Sequence, residues 1–255
     1  IFITASDPNL EISLEILKGL PQAGADMIEF GMPFSDPMAD GPTIQAASLR
    51  ALKSGGSLKR TLEMVENFRE TNNHTPIILM GYYNPIYSFG VENFLTQAVD
   101  TGVDGLIIVD LPPEEDEELC LPAQKHGLPF IRLTAPTSDD ERLPTILKNA
   151  SGFIYYVSIM GITGTQSIAT QNVQNAVKKL KKHSKLPIAV GFGIKTRQDV
   201  AEVTSFSDAA VVGSAVVSVI EQSLDANGEG SDKTIADALA LVRDLAAGVR
   251  DKKIA

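Results

Sequence analysis

Glu29 and Asp40 are the two residues of this chain best placed to do proton chemistry together. They stand in the stretch Met27-Ile28-Glu29-Phe30-Gly31-Met32-Pro33-Phe34-Ser35-Asp36-Pro37-Met38-Ala39-Asp40-Gly41-Pro42. Met27 to Phe30 reads as a short buried strand whose one charged residue is Glu29. Residues 31–42 hold three prolines, two glycines and two aspartates, the makeup of a rigid, non-helical loop. A carboxylate at the end of a buried strand loses solvation, which raises its pKa and lets it hold a proton near neutrality. Asp40, carried by the stiffened loop, can return to the same pocket. Two carboxylates in unlike environments can divide acid and charge-stabilising roles. The competing reading is a buried glutamate paired with a core lysine or arginine, beside a proline-rich connection that only caps the fold.

Anion chemistry is suggested by two glycine turns. Ile188-Ala189-Val190-Gly191-Phe192-Gly193-Ile194 runs from a strand into two glycines and then a helix opening with Thr196. Ala210-Val211-Val212-Gly213-Ser214 repeats the plan one unit later, with Ser214 a hydroxyl donor and expected N-cap. Such glycines let backbone N–H groups approach an anion, and a helix N-terminus adds partial positive charge. Tight turns chosen for packing are the alternative. Asp110, before Leu-Pro-Pro, is as well explained as a loop opener or helix cap. Tyr155 shares strand parity with Phe153 and Val157, where a tyrosine is more often core than catalytic.

Other chemistries find no support. No expected strand ends in the lysine that a Schiff-base aldolase needs, and Lys195 follows a turn. His74, His126 and His183 fall near helix ends or before strands, away from one another, so no metal cluster is expected. The lone cysteine, Cys120, sits among acidic residues and reads as a half-buried helix position, unable to form an internal disulfide.

These residues need a scaffold, and the chain alternates short β-branched runs with longer amphipathic ones. Strands are expected at 1–4, 26–30, 76–80, 105–109, 129–133, 152–157, 187–190 and 208–212. Helical faces are expected at Leu14, Ile16, Leu17 and Leu20; at Leu58, Leu62, Val65 and Phe68; and at Val173, Ala176, Val177 and Leu180. Eight strand–helix units argue for a single α/β domain over 1–255, a (β/α)₈ TIM barrel with extra helices. A doubly wound open sheet would show fewer strands and a glycine-rich first turn. Ala23-Gly24-Ala25-Asp26, Thr101-Gly102-Val103-Asp104-Gly105 and Phe206-Ser207-Asp208 form a faint repeat, each closing a helix and opening a strand. Residues 225–231 read as a solvated loop between two C-terminal helices. In a barrel the chemistry lies at the C-terminal strand ends, where both glycine turns fall after the seventh and eighth strands.

With 255 residues and 44% hydrophobic content the chain can bury a large core. Its formal net charge of −10, from 32 acidic and 22 basic residues, argues against nucleic acid and requires any phosphate to be held locally. No apolar run approaches a membrane span, and a cytoplasmic setting is expected. The chain starts at Ile1 inside a strand-like run, so a truncated N-terminus is expected, and with it any targeting segment.

The stretch around Glu29 and Asp40 resembles the signature of the tryptophan synthase alpha chain. Supporting matches are Phe2-Ile3-Thr4-Ala5-Ser6-Asp7-Pro8, Asp110-Leu111-Pro112, Gly161-Ile162-Thr163-Gly164, Gly191-Phe192-Gly193-Ile194 and Gly213-Ser214, in order along nearly the whole chain. The resemblance implies a lyase that cleaves indole-3-glycerol phosphate to indole and glyceraldehyde 3-phosphate by a retro-aldol step. It implies Glu29 as the acid that protonates indole C3, Asp40 as the anion facing the indole N–H, and Tyr155 as a positioning group. Phe2, Met80, Ile107 and Val109 would then line the indole pocket. Gly191, Gly193, Gly213 and Ser214 would hold the phosphate, and residues 158–167 would form a lid with Thr163 and Gly164 over the substrate. Ile162 departs from the family's commoner valine. The resemblance further implies no cofactor in this chain and an α₂β₂ assembly with a beta chain that carries pyridoxal phosphate. Two other readings stand beside it: a neighbouring phosphate-binding barrel such as indole-3-glycerol phosphate synthase or phosphoribosylanthranilate isomerase, and a non-catalytic barrel that only activates a partner. The synthase needs a strand-end lysine, and a pure scaffold has no reason to bury a carboxylate.

Overall fold

Eight short apolar runs become eight parallel strands: β1 Phe2–Thr4, β2 Ile28–Gly31, β3 Ile77–Gly81, β4 Gly105–Ile108, β5 Arg132–Thr134, β6 Ile154–Val157, β7 Ile188–Gly191 and β8 Ala209–Val211. The computed structural model describes residues 1–158, 166–191 and 193–251. Strands β1 to β4 and β5 to β8 pair in sequential order. The two sets join through a parallel bridge between Leu106 and Phe130. The ring closes where the Phe2 N–H donates to the Val212 carbonyl at 2.9 Å. This is the (β/α)₈ barrel expected from the alternating pattern, with every expected strand present and its bounds moved by one to three residues.

Strands β1 to β7 read as largely apolar runs because both faces are mostly buried, whereas β8 is exposed or half-buried. Outward residues such as Ile3, Phe30, Leu79, Ile108, Ile154 and Val190 join the main core against the helices. Inward residues form a smaller cluster of Ile78, Ile107, Ile131 and Tyr155 inside the barrel. Each fully buried large side chain stabilises the fold by roughly 1.5–3 kcal/mol.

Helices α1 Leu10–Ala23, α2 Pro42–Lys53, α3 Leu58–Arg69, α4 Tyr83–Phe89, α5 Val91–Thr101, α6 Cys120–Lys125, α7 Leu143–Leu147, α8 Gln166–His183, α9 Arg197–Thr204, α10 Ser214–Gln222 and α11 Asp232–Asp251 surround the strands. The expected apolar stripes lie on α1, α3 and α8, where Ile16, Leu17, Leu20, Leu62, Val65, Phe68, Val173, Val177 and Leu180 are buried. Asn9 caps α1 by accepting from the Ile12 N–H, and Gly24 ends it in the left-handed region at φ 104°. Two of the repeated aspartates have a shared task. Asp104 accepts from the Ile77 N–H at 2.7 Å and Asp208 from the Ile188 N–H at 2.9 Å, each tying one strand's start to the next. The loop at 225–231 lies between α10 and α11, as the sequence predicts.

Cys120 departs from its half-buried expectation: it is fully buried at the start of α6, and burial pushes its thiol up to about 11. Among the described residues no helix is long and apolar enough to cross a membrane.

Candidate active site

Glu29 lies one step deeper than its sequence context suggests. Strand β2 continues to Gly31, so Glu29 is its second residue, level with Phe2 on β1 and Ile78 on β3. It is only 6% exposed, and its Oε1 has no hydrogen-bond partner. The alternative of a core lysine or arginine partner is not what the structure shows: among the described residues no lysine or arginine pairs with it. Desolvation lifts its pKa from 4.5 to about 7; the amino group of Ile1 offsets part of this and the charge of Asp40 adds to it. An acid with this pKa is half protonated at neutral pH.

The proline-rich loop brings Asp40 to the mouth of the barrel, near enough for its charge to act on Glu29. Tyr82, the residue after β3, donates its hydroxyl hydrogen to Asp40 Oδ2 at 2.9 Å and accepts from the Ala39 N–H at 3.0 Å. Gln45 of α2 donates to the Asp40 carbonyl at 2.8 Å. Partial burial raises the Asp40 pKa, and the Tyr82 hydrogen bond opposes that rise. Sequence reasoning misses Tyr82. Its partner lies 42 residues away in the chain, and a tyrosine after an apolar strand carries no local mark.

Tyr155 points inward from β6 and is buried. Burial first, then the charges of Glu29 and Asp40, hold its hydroxyl well above the usual tyrosine range, so it stays neutral. Its ring lies across Gly191: a Cβ there would fall 2.7 Å from the Tyr155 hydroxyl. Phe2 occupies a similar cradle, since a Cβ at Gly31 would meet its ring at 2.7 Å. Phe2, Met80 and Val109 line a narrow cleft at the mouth together with Asp40 and Tyr82. Ile107 sits lower, in the inward cluster. Glu29 also borders a cavity of about 620 Å³ at the opposite, N-terminal end of the barrel, walled by Ile78, Ile131 and Ala189.

The two glycine turns are not equivalent. The turn after β7 brings Gly193 into the left-handed region at φ 58°. Helix α9, however, is closed by a capping box: Thr196 accepts from the Asp199 N–H, and Asp199 accepts from the Thr196 and Lys195 N–H groups. A carboxylate thus already accepts from the N–H groups that lead into that helix and competes with any anion there. Helix α10 is different. Its N-cap is Gly213, not Ser214, and no side chain caps it. Among the described residues no side chain accepts from its first-turn N–H groups, which lie at the same barrel end as Asp40.

Asp110 is exposed and accepts from the Tyr83 N–H at 2.8 Å, which makes it the cap of α4. The histidines lie apart from the site: His74 is exposed before β3, His126 pairs with Glu92 at the end of α6, and His183 closes α8. Thr163 and Gly164, with most of the expected lid, fall outside the described residues.

A parallel eightfold barrel with a protonatable carboxylate buried inside it, and with an aspartate, apolar walls and the start of α10 at its mouth, has the architecture of a barrel enzyme. The family model described as tryptophan synthase alpha chain matches residues 1–249. The chain is 40% identical to the tryptophan synthase alpha subunit of Legionella pneumophila str. Paris over 98% of this chain and 91% of that one, with a TM-score of 0.88. An alpha-subunit structure from Pyrococcus furiosus is 37% identical over 96% of both chains, at a TM-score of 0.84. A tryptophan synthase structure from M. tuberculosis is 32% identical over 98% of this chain and 91% of that one, at 0.85. The chain belongs to the tryptophan synthase alpha chain family, and it is a lyase of tryptophan biosynthesis.

Proposed function

We propose that this barrel cleaves indole-3-glycerol phosphate with Glu29 as the acid and Asp40 as the fixed anion. The observation that carries the reading is a buried Glu29 whose pKa is raised to about 7, with Oε1 lacking a hydrogen-bond partner and no lysine or arginine paired with it among the described residues. Cleavage of the C3–C3′ bond requires a proton at indole C3, and a neutral carboxyl in an apolar interior delivers it. Positive charge then develops on the indole nitrogen. Asp40, oriented by Tyr82, accepts its N–H and stabilises that charge. The hydroxyl proton of C3′ leaves as the carbonyl of glyceraldehyde 3-phosphate forms. The Glu29 carboxylate, having just lost its proton, is the nearest base to receive it, so the enzyme ends as it began.

Tyr155, neutral and beside the inward face, positions substrate or Glu29. Phe2, Met80, Ile107 and Val109 supply apolar walls for indole. The phosphate rests on backbone N–H groups of Gly191, Gly193, Gly213 and Ser214, with α10 supplying the partial positive charge. The 255 residues act as one domain. The chemistry asks nothing of a cofactor; pyridoxal phosphate belongs to a beta chain, which joins this chain as α₂β₂ in the cytoplasm. The exposed loop at Asp36 and Met38 is the docking side, Met38 being 84% exposed. Release of indole from indole-3-glycerol phosphate, measured with and without a matched beta chain, tests the proposal. Turnover that rises with the partner supports it; no release under either condition refutes it.

A further inference from the structure

A partly buried ion-pair network lies on the rim outside the reacting groups. Asp7, just after β1, is 2% exposed. Arg50, in the last turn of α2, grips it with both arms of its fork: Nε to Oδ1 at 2.8 Å and Nη2 to Oδ2 at 3.0 Å. The third corner of the same guanidinium, Nη1, donates to Glu221 of α10 at 2.9 Å. Ser54 seals the joint by donating to the carbonyl of Ser6, a buried residue held at φ 67°. Farther along the same helices, Ala47 of α2 and Val217 of α10 pack together on the ring of Phe2.

These contacts link two elements with separate tasks. Helix α2 begins two residues after Asp40, and α10 begins at the proposed phosphate site. Burial raises the Asp7 pKa, and the Arg50 guanidinium offsets only part of that rise. A lysine could satisfy one carboxylate here but not hold Asp7 in a fork and reach Glu221 at once. We propose that Arg50 is a positioning residue that joins α2 to α10, so that seating the substrate's phosphate also fixes Asp40 against the indole ring; this rests on the reading of α10 as the phosphate site.

Such a link is a coupling between two sites, and it must be reciprocal. Inorganic phosphate and indole, as separate probes, are therefore titrated against the full chain, each in the absence and presence of the other. In the wild type phosphate should tighten indole binding by about fivefold or more, the lower range of measured couplings. Arg50→Lys should reduce that factor to below about twofold, with Glu221→Gln intermediate because its pair is half exposed. Phosphate affinity without indole should change less than about twofold, and kcat for cleavage should fall more than KM rises. A merely structural Arg50 would lower the melting temperature without moving the coupling factor. Unchanged coupling in both variants, or none in the wild type, overturns the proposal. Should Arg50→Lys not fold, Glu221→Gln decides alone. If inorganic phosphate fails to bind the wild type, the phosphate site itself is wrong, a result distinct from binding without coupling.

Discussion

Glu29 carries an energetic liability that its neighbours make useful. Its folded pKa is about 7 against 4.5 when solvated, so the folded chain holds the proton after the unfolded chain has released it. Stability from this group is present below pH 4.5 and is lost as pH rises to about 7, an effect of up to roughly 3 kcal/mol. Glu29→Gln should therefore raise the melting temperature at about pH 8 and leave it unchanged at about pH 4; a variant less stable at the higher pH would show the carboxylate to be paired after all. Tyr82 acts on the other carboxylate. Tyr82→Phe removes a hydrogen bond to an anion, worth about 1.5–3 kcal/mol, and should slow cleavage roughly tenfold or more without unfolding the protein. A change within twofold would separate Tyr82 from the reaction. Glu29 and Asp40 are readable in the chain because composition marks them: one acid in an apolar run, the other in a loop stiffened by proline. Tyr82 and Arg50 are not, because their partners lie 42 and 43 residues away and only the folded barrel brings them together.

The helices sort the two glycine turns that look alike in sequence. Thr196 and Asp199 carry the Thr-x-x-Asp spacing of a capping box, the one local signal that separates the first turn from the second. Asp199→Ala should cost about 1 kcal/mol of stability through lost capping. It should leave phosphate affinity within about twofold, because the proposed site draws its partial positive charge from α10 and not from α9. Gly213→Leu should do the reverse. A Cβ at Gly213 already meets Phe2 at 3.3 Å, and a longer side chain must turn into the space before the α10 N–H groups. Calorimetry of both variants with and without inorganic phosphate checks the pair. Equal phosphate affinity in Gly213→Leu and wild type would place the anion elsewhere. The strands are legible almost throughout, since both-face burial writes itself as apolar runs. Their ends are not: Gly31 and Gly81 continue strands that lower propensity would have stopped, because neighbouring strands supply the hydrogen bonds.

The barrel as a whole sets which face meets a partner and which form turns over. Asp36 is exposed beside Met38 on the loop that carries Asp40 into the site, so contact there can reach the reacting groups. Titrating a beta chain should raise lyase turnover, and Asp36→Ala should lose more of that activation than of the basal rate. Equal activation of both would remove Asp36 from the coupling. Turnover itself reports on Glu29 most directly. With Glu29 as the proposed acid the reacting form is the protonated one, so kcat/KM for indole release should be level below about pH 7 and fall about tenfold per unit above it. The decisive measurement is that profile from about pH 5.5 to about 9 with the beta chain present, run on wild type and Glu29→Gln. A wild-type break is expected near pH 7, with less than a few per cent of wild-type turnover in the variant at every pH; a Glu29→Gln enzyme that keeps substantial turnover would show that another group supplies the proton.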